Sequence, residues 1–289
     1  MRIGALEAGG TKMVCAIGDE NGNIEKRVSY PTQTPKETMP QMVEFFKNEG
    51  IGALGIGCFG PIELNRNSPA YGCITSTPKL AWANYNIVGA FREALKVPVG
   101  FDTDVNGAAL GEVMYGAAKG CDTAVYITIG TGVGVGVYAN GALLHGLIHP
   151  EAGHVLITRR HGDNYRGKCP FHENCLEGLA AGPAIMERWG KPAVELADRR
   201  EVWELESDYI AQAVTNYILT LSPQKVILGG GVMHQEQMFP LVQKKVLEKL
   251  NSYLQNDAIL KHIEEYIVPP ALGDNAGVTG ALLLALQEV

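Results

Sequence analysis

Runs of apolar residues separated by glycine-rich turns organise the start of the chain. "RIGALEAGGTKMVCAIGDENGNIEKRVSY", residues 2–30, predicts a strand, a glycine-rich turn, a second strand, an Asn-Gly hairpin at Asn21-Gly22 and a third strand. "AVYITIGTGVGVGVYANGALLHG", residues 124–146, repeats this order, with turns at Gly130-Thr131-Gly132 and Asn140-Gly141. Two matched hairpins in one chain predict an internally duplicated fold with two similar halves.

Helical periodicity alternates with buried strands in the rest of the chain. Helices are predicted in residues 38–50 and 86–95, and buried strands that end in loops in residues 53–62 and 97–106. Further helices are predicted over 182–188, 199–221 and 238–254, with a strand in "KVILGGGV" and a closing helix in "GVTGALLLAL". This alternation indicates the α/β class. The domain boundary is predicted near residues 118–122, although no stretch there resembles a linker.

Composition narrows the class of protein. The 289 residues carry a net charge of −7 without a basic run, so nucleic acid is not an expected partner. No apolar run approaches the roughly 20 residues that cross a bilayer, so a membrane is not expected either. The N-terminal "MRIGALEAGG" lacks the apolar core of a secretory signal, and we expect a cytoplasmic protein.

The glycine-rich turns differ from the common phosphate-binding motifs. The Walker pattern is absent, and both "GGTK" and "GTGVGVGVY" continue as strands where those motifs need a helix. Glycine still lets backbone N–H groups approach an anion closely. Two matched turns therefore favour phosphate binding over a purely structural role. "ILGGGV", where a buried strand runs into three glycines, is a third candidate, because ligands bind at the carboxyl ends of such strands.

Two aspartates end the strand predicted in residues 97–106. If the strand extends that far, alternation places Asp102 and Asp104 on one face and Thr103 on the other. Either residue could be a general base that takes a proton from a hydroxyl. The competing interpretation is a helix cap before "GAALGEVMYG", where aspartate is common.

Only two of the six cysteines lie near histidine. Cys169, His172 and Cys175 are spaced evenly in a short loop and supply three ligands of a closed, structural zinc site. His154, on the strand-like "GHVLIT", is the nearest candidate for the fourth ligand, and His149 and His161 compete with it. The nearby Glu151 and Glu177 are ligands, hydrogen-bond partners of ligands or substrate contacts. The remaining cysteines are predicted to be small buried hydrophobic residues: Cys15, Cys58, Cys73 and Cys121.

These motifs together resemble the ROK family of bacterial sugar kinases, and most closely its fructokinases. The resemblance rests on "EAGGTK", "DTDVN", "IGTGVGVG", "HPEAGHV", "CPFHENCLEGLAAGP" and "ILGGGV", in this order, from Leu6 to the closing helix. It implies the actin/hexokinase/RNase H-like fold, with two α/β domains closing over a cleft. The first would cover 1–118, with the C-terminal helix (about 276–289) packing back on it, and the second would cover 119–275 and carry the zinc loop.

The resemblance also implies a role for each matching residue. Asp104 would be the catalytic base and would lie at the sugar with Glu151, His154 and Glu177. His154 would also bind zinc with Cys169, His172 and Cys175. Gly9, Gly10, Thr11 and Lys12 would face the transferred phosphate and its Mg²⁺. ATP would be held further by Thr131, Gly132, Pro183, Gly231, Val232, Met233, His234 and Gln235.

The function that the resemblance implies is ATP-dependent phosphorylation of a hexose at its 6-hydroxyl, most closely of D-fructose, in carbohydrate metabolism. A ROK kinase for glucose, mannose or an N-acetylhexosamine is the alternative. A non-catalytic sugar-binding regulator is disfavoured, because Asp104 is present and the first strand is predicted from Ile3, which leaves no room for a preceding DNA-binding domain. A homodimer is expected. Two residues depart from the family pattern: Glu7 stands where aspartate is usual, and Thr103 where asparagine is frequent.

Overall fold

The computed structural model describes all 289 residues, which form two compact units. The first unit comprises residues 1–120, 143–150 and 271–289, and the second comprises residues 121–142 and 151–270. The domain limits expected from the sequence, 1–118 and 119–275, stay a prediction. None of the helices combines the length and apolar character needed to cross a membrane.

The structure contains twelve strands of two to eight residues. In chain order they are β1 Ile3–Ala8, β2 Lys12–Gly18, β3 Ile24–Pro31, β4 Ala53–Cys58, β5 Cys73–Ile74, β6 Tyr85–Asn86, β7 Val99–Thr103, β8 Ala124–Ile129, β9 Val133–Ala139, β10 Ala142–Leu143, β11 Lys225–Gly229 and β12 Ile267–Val268.

The α-helices follow or connect these strands. They are α1 Pro35–Glu49, α2 Ile87–Leu95, α3 Asp104–Tyr115, α4 Leu176–Ala180, α5 Gly182–Trp189, α6 Arg200–Leu221, α7 Met238–Leu250, α8 Asp257–Leu260, α9 Ile263–Tyr266 and α10 Ala276–Leu286.

Two five-stranded sheets repeat one topology. The first has the order β3-β2-β1-β4-β7, with β1 antiparallel to β2 and parallel to β4. The second has the order β10-β9-β8-β11-β12, with β8 antiparallel to β9 and parallel to β11. Each sheet thus joins a hairpin to parallel strands that are connected through helices. The predicted α/β fold with duplicated halves is confirmed.

Two predicted elements are wrong in part. "GHVLIT" is not a strand: residues 152–154 form a 3₁₀ helix, and only an isolated bridge joins Leu156 to Cys175. The helix predicted to reach residue 254 ends at Leu250, because Asn251 adopts a left-handed backbone (φ 46°) and caps it. Apolar periodicity alone does not reveal such caps.

The prediction for the four isolated cysteines holds for two of them. Cys15 and Cys58 are buried in the strands of the first sheet. Cys73 and Cys121 are only half-buried, since the first lies in a two-residue strand and the second in the connection before β8.

Glycines let the closing helix lie directly on the first sheet and on α3. A methyl group added at Gly55 of β4 would lie 1.7 Å from the carbonyl oxygen of Ala281 in α10. A methyl group at Gly280 of α10 would lie 1.7 Å from the carbonyl oxygen of Gly107 in α3. The two helix backbones touch here, so side-chain-free positions on α10 bring it against the helix that begins at Asp104.

This contact predicts that two alanine substitutions, one in each helix, change the stability of the protein by different amounts. Gly280→Ala should destabilise the protein by about 3 kcal/mol or more, because its methyl group meets a backbone oxygen that cannot move alone. Gly107→Ala is the matched control, because its methyl group would have no neighbour closer than 3.7 Å. Alanine also favours a helix by about 1 kcal/mol over glycine, so this variant should be at least as stable as the wild type. Chemical denaturation measures both, and equal stability of the two variants would contradict the packing.

Candidate active site and metal centre

The carboxyl ends of the parallel strands of the first sheet carry three acidic residues. β1 holds Glu7 near its end, β7 ends with Asp102 and Thr103, and α3 begins at Asp104. Thr103 caps α3, since its hydroxyl accepts the N–H of Asn106 at 3.1 Å. The strand therefore stops at Thr103, so the condition under which Asp102 and Asp104 would share a strand face is not met, and the alternative of a helix cap at this point is confirmed, with Thr103 as the capping residue.

Asp104 has the electrostatic properties of a base that works near neutral pH. Burial of its carboxyl group raises the pKa to about 6, against the opposing effect of the Val105 N–H, which donates to Oδ1 at 2.9 Å. A base is most effective when its pKa lies near the operating pH. The first residue of α3 is therefore suited to accept a proton from a hydroxyl group.

Asp102 differs from Asp104 because its carboxylate oxygens already make three hydrogen bonds within the protein. It is 3% exposed, and its Oδ1 accepts the Thr103 N–H at 2.7 Å and the Asn106 side-chain amide at 2.9 Å. Its Oδ2 lies 2.8 Å from Nε2 of His145. These bonds leave Asp104 as the better candidate for the base. Sequence reasoning missed His145, because a contact across 43 positions has no local signal.

Glu7 shares the electrostatic environment of Asp104. Burial raises the pKa of Glu7 to about 7, with a further contribution from Asp104, while Lys12 and Arg27 oppose the increase. A methyl group added at Gly277 of α10 would lie 2.6 Å from Cδ of Glu7, so this glycine leaves room for the longer side chain. Two neighbouring carboxyl groups with raised pKa values are chemically suited to a hard divalent cation such as Mg²⁺, which prefers oxygen ligands.

The first glycine-rich turn lies between β1 and β2. The Gly9 N–H donates to the Lys12 carbonyl oxygen at 3.0 Å, and the hydroxyl of Thr32 donates to the Gly9 carbonyl oxygen at 2.7 Å. Thr11 and Lys12 are exposed at the tip. The turn is thus rigid at its base and presents backbone groups and one ammonium group to solvent.

The corresponding residues of the second unit also come together. The Gly182 N–H, next to Pro183, donates to the Gly130 carbonyl oxygen at 2.8 Å, which joins the start of α5 to the second glycine turn. A methyl group at Gly130 would lie 4.0 Å from the Gly231 nitrogen, so the third turn is adjacent. The fold therefore brings together the second glycine turn, the start of α5 and the third glycine turn. These segments carry Thr131, Gly132, Pro183 and Gly231.

The residues of the third turn are not equally accessible. After Gly230, residues Gly231–His234 form a 3₁₀ helix. The side chains of Val232 and Met233 are buried, so these two residues can reach a ligand only through their backbone. His234 is exposed, whereas the side-chain amide of Gln235 donates to the Ala193 carbonyl oxygen at 3.3 Å.

Four candidate ligands form a compact cluster in the second unit. One ligand atom each from His154, Cys169, His172 and Cys175 lies within 4.8 Å of all the others. Cys169 Sγ is 3.7 Å from Nδ1 of both His154 and His172, and Cys175 Sγ is 3.6 Å from Nδ1 of His154. Tetrahedral zinc separates thiolate sulfur from imidazole nitrogen by about 3.6 Å. The donor set and its spacing therefore fit zinc.

The two competing histidines are not part of this cluster. His149 lies in the first unit, where its Nε2 accepts the N–H of Ile62 at 3.1 Å. His161 is exposed and outside the cluster. The fold selects His154 because Gly153 allows the 3₁₀ helix to approach β9: a methyl group there would lie 1.8 Å from the Val133 carbonyl oxygen.

Glu177 links the zinc cluster to the second glycine turn. Its Oε2 accepts the N–H of Val133, the residue after Gly132, at 3.0 Å. Its Oε1 lies 3.9 Å from Nε2 of His154, whose Nδ1 faces the cysteines. A carboxylate opposite the second nitrogen of a metal-binding histidine fixes the orientation of the ring. Glu151 is exposed and begins the 3₁₀ helix, with its carbonyl oxygen accepting the His154 N–H at 3.0 Å.

Two α/β sheets of matching topology, glycine-rich turns, an acidic strand edge and a His₂Cys₂ cluster that fits zinc are together typical of a class of sugar kinases. Within it, the model of the ROK family matches residues 3–288, and the chain belongs to this family. It is 52% identical to a Bacillus subtilis relative over 99% of this chain and 96% of that one. It is 46% identical to the fructokinase of Pediococcus pentosaceus over 99% and 98% of the two chains. The solved ROK hexokinase of Thermus thermophilus superposes with a TM-score of 0.78 at 26% identity, covering 100% and 99% of the chains.

The cluster predicts one zinc ion per chain that stabilises the second unit. Cys169→Ser should abolish metal binding and lower the melting temperature, because a structural zinc site contributes directly to folding. Cys121→Ser is the matched control, since Cys121 is a half-buried cysteine outside the cluster. Metal analysis and thermal unfolding of protein purified without added zinc provide the measurement. Less than about a tenth of an equivalent in stable, fully folded wild type would contradict a structural zinc.

Proposed function

We propose that this chain is a fructokinase: it transfers the γ-phosphoryl group of ATP to the 6-hydroxyl of D-fructose, which yields D-fructose 6-phosphate and ADP. The observation that carries the proposal is Asp104, a carboxyl group with a pKa of about 6 at the carboxyl edge of the first sheet of a ROK chain. The choice of fructose is supported by full-length relatives named fructokinase at 43–46% identity.

Asp104 would accept the proton of the 6-hydroxyl as its oxygen attacks phosphorus. The sugar would be held by hydrogen bonds to Asp104, Glu151, His154 and Glu177. Charged and backbone groups positioned around the phosphate stabilise the transition state of phosphoryl transfer, which needs little other chemistry. In this chain those groups would be the amides of Gly10 and Thr11 and the ammonium group of Lys12, while Gly9, whose N–H donates to the Lys12 carbonyl oxygen, would shape the turn that faces the phosphate.

Mg²⁺, when bound with ATP, neutralises charge on the phosphate oxygens. Glu7 would orient this ion, since its raised pKa reflects burial beside Asp104 and a cation favours its ionised form. The ATP itself would lie against Thr131, Gly132, Pro183 and the segment Gly231, Val232, Met233, His234 and Gln235. A homodimer is part of the proposal, as is a structural role for zinc.

A coupled assay of ADP release across a panel of hexoses with MgATP tests the function. The proposal expects kcat/KM to be highest for fructose. A higher value for glucose, mannose or an N-acetylhexosamine would identify the chain as another sugar kinase of the family. Sugar binding without turnover on any hexose would instead indicate a regulator and contradict the proposal.

Asp104→Asn should lower kcat by about 10³-fold while fructose still binds, because general-base steps contribute roughly 10²–10⁴-fold. Asp102→Asn is the comparison, because Asp102 accepts three hydrogen bonds and holds the first turn of α3. Steady-state kinetics and calorimetric fructose binding provide the measurements. An Asp104→Asn variant that keeps a tenth of the wild-type kcat would assign the base to another residue.

Glu7→Gln should raise the Mg²⁺ concentration needed for half-maximal activity by about 10-fold, since it removes one charge-assisted oxygen contact. Fructose affinity should change little, because Glu7 is proposed to act on the ion alone. Mg²⁺ titrations at saturating ATP, with fructose binding measured separately, test this. Equal losses in Mg²⁺ and fructose affinity would show that Glu7 shapes the whole site.

A further inference from the structure

His145 is brought to the proposed active site from a distant part of the chain. The segment 143–150 belongs to the first unit, although the residues on either side of it belong to the second. Two histidines attach it: His145 Nε2 lies 2.8 Å from Asp102 Oδ2, and His149 Nε2 accepts the Ile62 N–H at 3.1 Å. The segment then leads directly into Glu151.

The two histidines differ in accessibility. The His149 residue is 3% exposed, so it is confined to the interior of the first unit. The side chain of His145 remains 42% exposed, although it is bonded to an aspartate whose side chain is 4% exposed. An imidazole is thus held rigidly on one edge and left accessible to solvent on the other.

The hydrogen bond to Asp102 also determines what the free edge can do. A carboxylate at Nε2 keeps the proton on that nitrogen, which is how carboxylates select a histidine tautomer. The same bond raises the pKa of His145, an increase that desolvation opposes. Nδ1 of His145 makes no hydrogen bond within the chain. It can therefore accept a hydrogen bond from a hydroxyl group or, when protonated, donate one to an oxygen.

The position of this edge relative to the base supports a role in substrate binding. Asp102 precedes Asp104 by two residues, and its carboxylate bonds to Thr103 and Asn106, which form the first turn of α3. His145 is therefore fixed to the same carboxylate that fixes the helix start carrying Asp104. The exposed edge of His145 is therefore held in a fixed position relative to that helix start.

Accordingly, we propose that His145 is a further sugar-binding residue, which hydrogen-bonds a hydroxyl group of the hexose through Nδ1 while Asp102 fixes the ring through Nε2. The inference rests on the proposed kinase function and adds one sugar contact to those already proposed. It makes Asp102 a positioning residue that acts through His145 and α3.

The His145→Gln variant distinguishes the role of Nε2 from the role of Nδ1. The glutamine amide N–H₂ can reach Asp102 in place of Nε2, but glutamine has no group equivalent to Nδ1 of the ring. We expect this variant to bind fructose about 10-fold more weakly, the effect expected from the loss of one hydrogen bond. KM for ATP and the melting temperature should stay close to the wild type.

The matched control is His161→Gln, because His161 is exposed, makes no hydrogen bond and lies outside the zinc cluster. Calorimetric titration with fructose, KM for both substrates and thermal unfolding are measured for each variant. The control should match the wild type in all of them. His145→Ala completes the set: it should lose stability as well as fructose affinity, because it leaves Asp102 one donor short.

Two results would overturn the inference. Wild-type fructose affinity in His145→Gln would show that the ring only satisfies Asp102, and an equal loss of affinity for ATP and fructose would show a general disturbance of the fold. Both results are distinct from failure of the proposed function. That failure would appear in the wild type itself, as an absence of turnover across the hexose panel, and it would overturn this inference as well only if fructose binding were also absent.

Discussion

The placement of two partly buried carboxyl groups, those of Glu7 and Asp104, at the edge of the first sheet is the constraint on which the rest of this structure depends. Desolvation raises the pKa of Glu7 to about 7 and the pKa of Asp104 to about 6, both above the ordinary range for a carboxyl group. Carboxyl groups with raised pKa values are typical of sites that bind a cation or transfer a proton. The packing around them follows from the same requirement. Gly277 makes space for Glu7, and Thr103 begins the helix that carries Asp104.

In the second unit the main structural requirement is different: a loop with little regular structure must be held in a fixed position. The zinc ligands Cys169, His172 and Cys175 precede or cap the short helix α4, and His154 joins them from a 3₁₀ turn. Glu177 extends this arrangement to the second glycine turn through the Val133 N–H. A metal that holds the loop therefore also orients the residues proposed to contact the sugar and the phosphates.

Sequence patterns predicted the features that depend on neighbouring residues. The glycine turns at Gly9–Gly10 and Gly130–Gly132 and three ligands of the zinc loop are local, so their spacing was enough. The same patterns missed contacts between distant residues, since the His145–Asp102 bond and the space that Gly277 leaves for Glu7 arise only when strands and helices pack. The two interpretations of Asp102 and Asp104, a longer strand or a helix cap, stayed open for another reason. A threonine at 103 suits either a strand or a helix cap, and only the hydrogen bond to Asn106 decides between them.

The dependence of kcat/KM for fructose on pH, at saturating MgATP, tests the central claim most directly. Asp104 must be ionised to accept a proton, so activity should increase with pH through an apparent pKa of about 6 and level off above it. The Asp104→Asn variant should lack this increase in its residual activity. An increase centred near the ordinary carboxyl value of about 4, or no change between about pH 5 and 8, would show that no buried base limits the reaction.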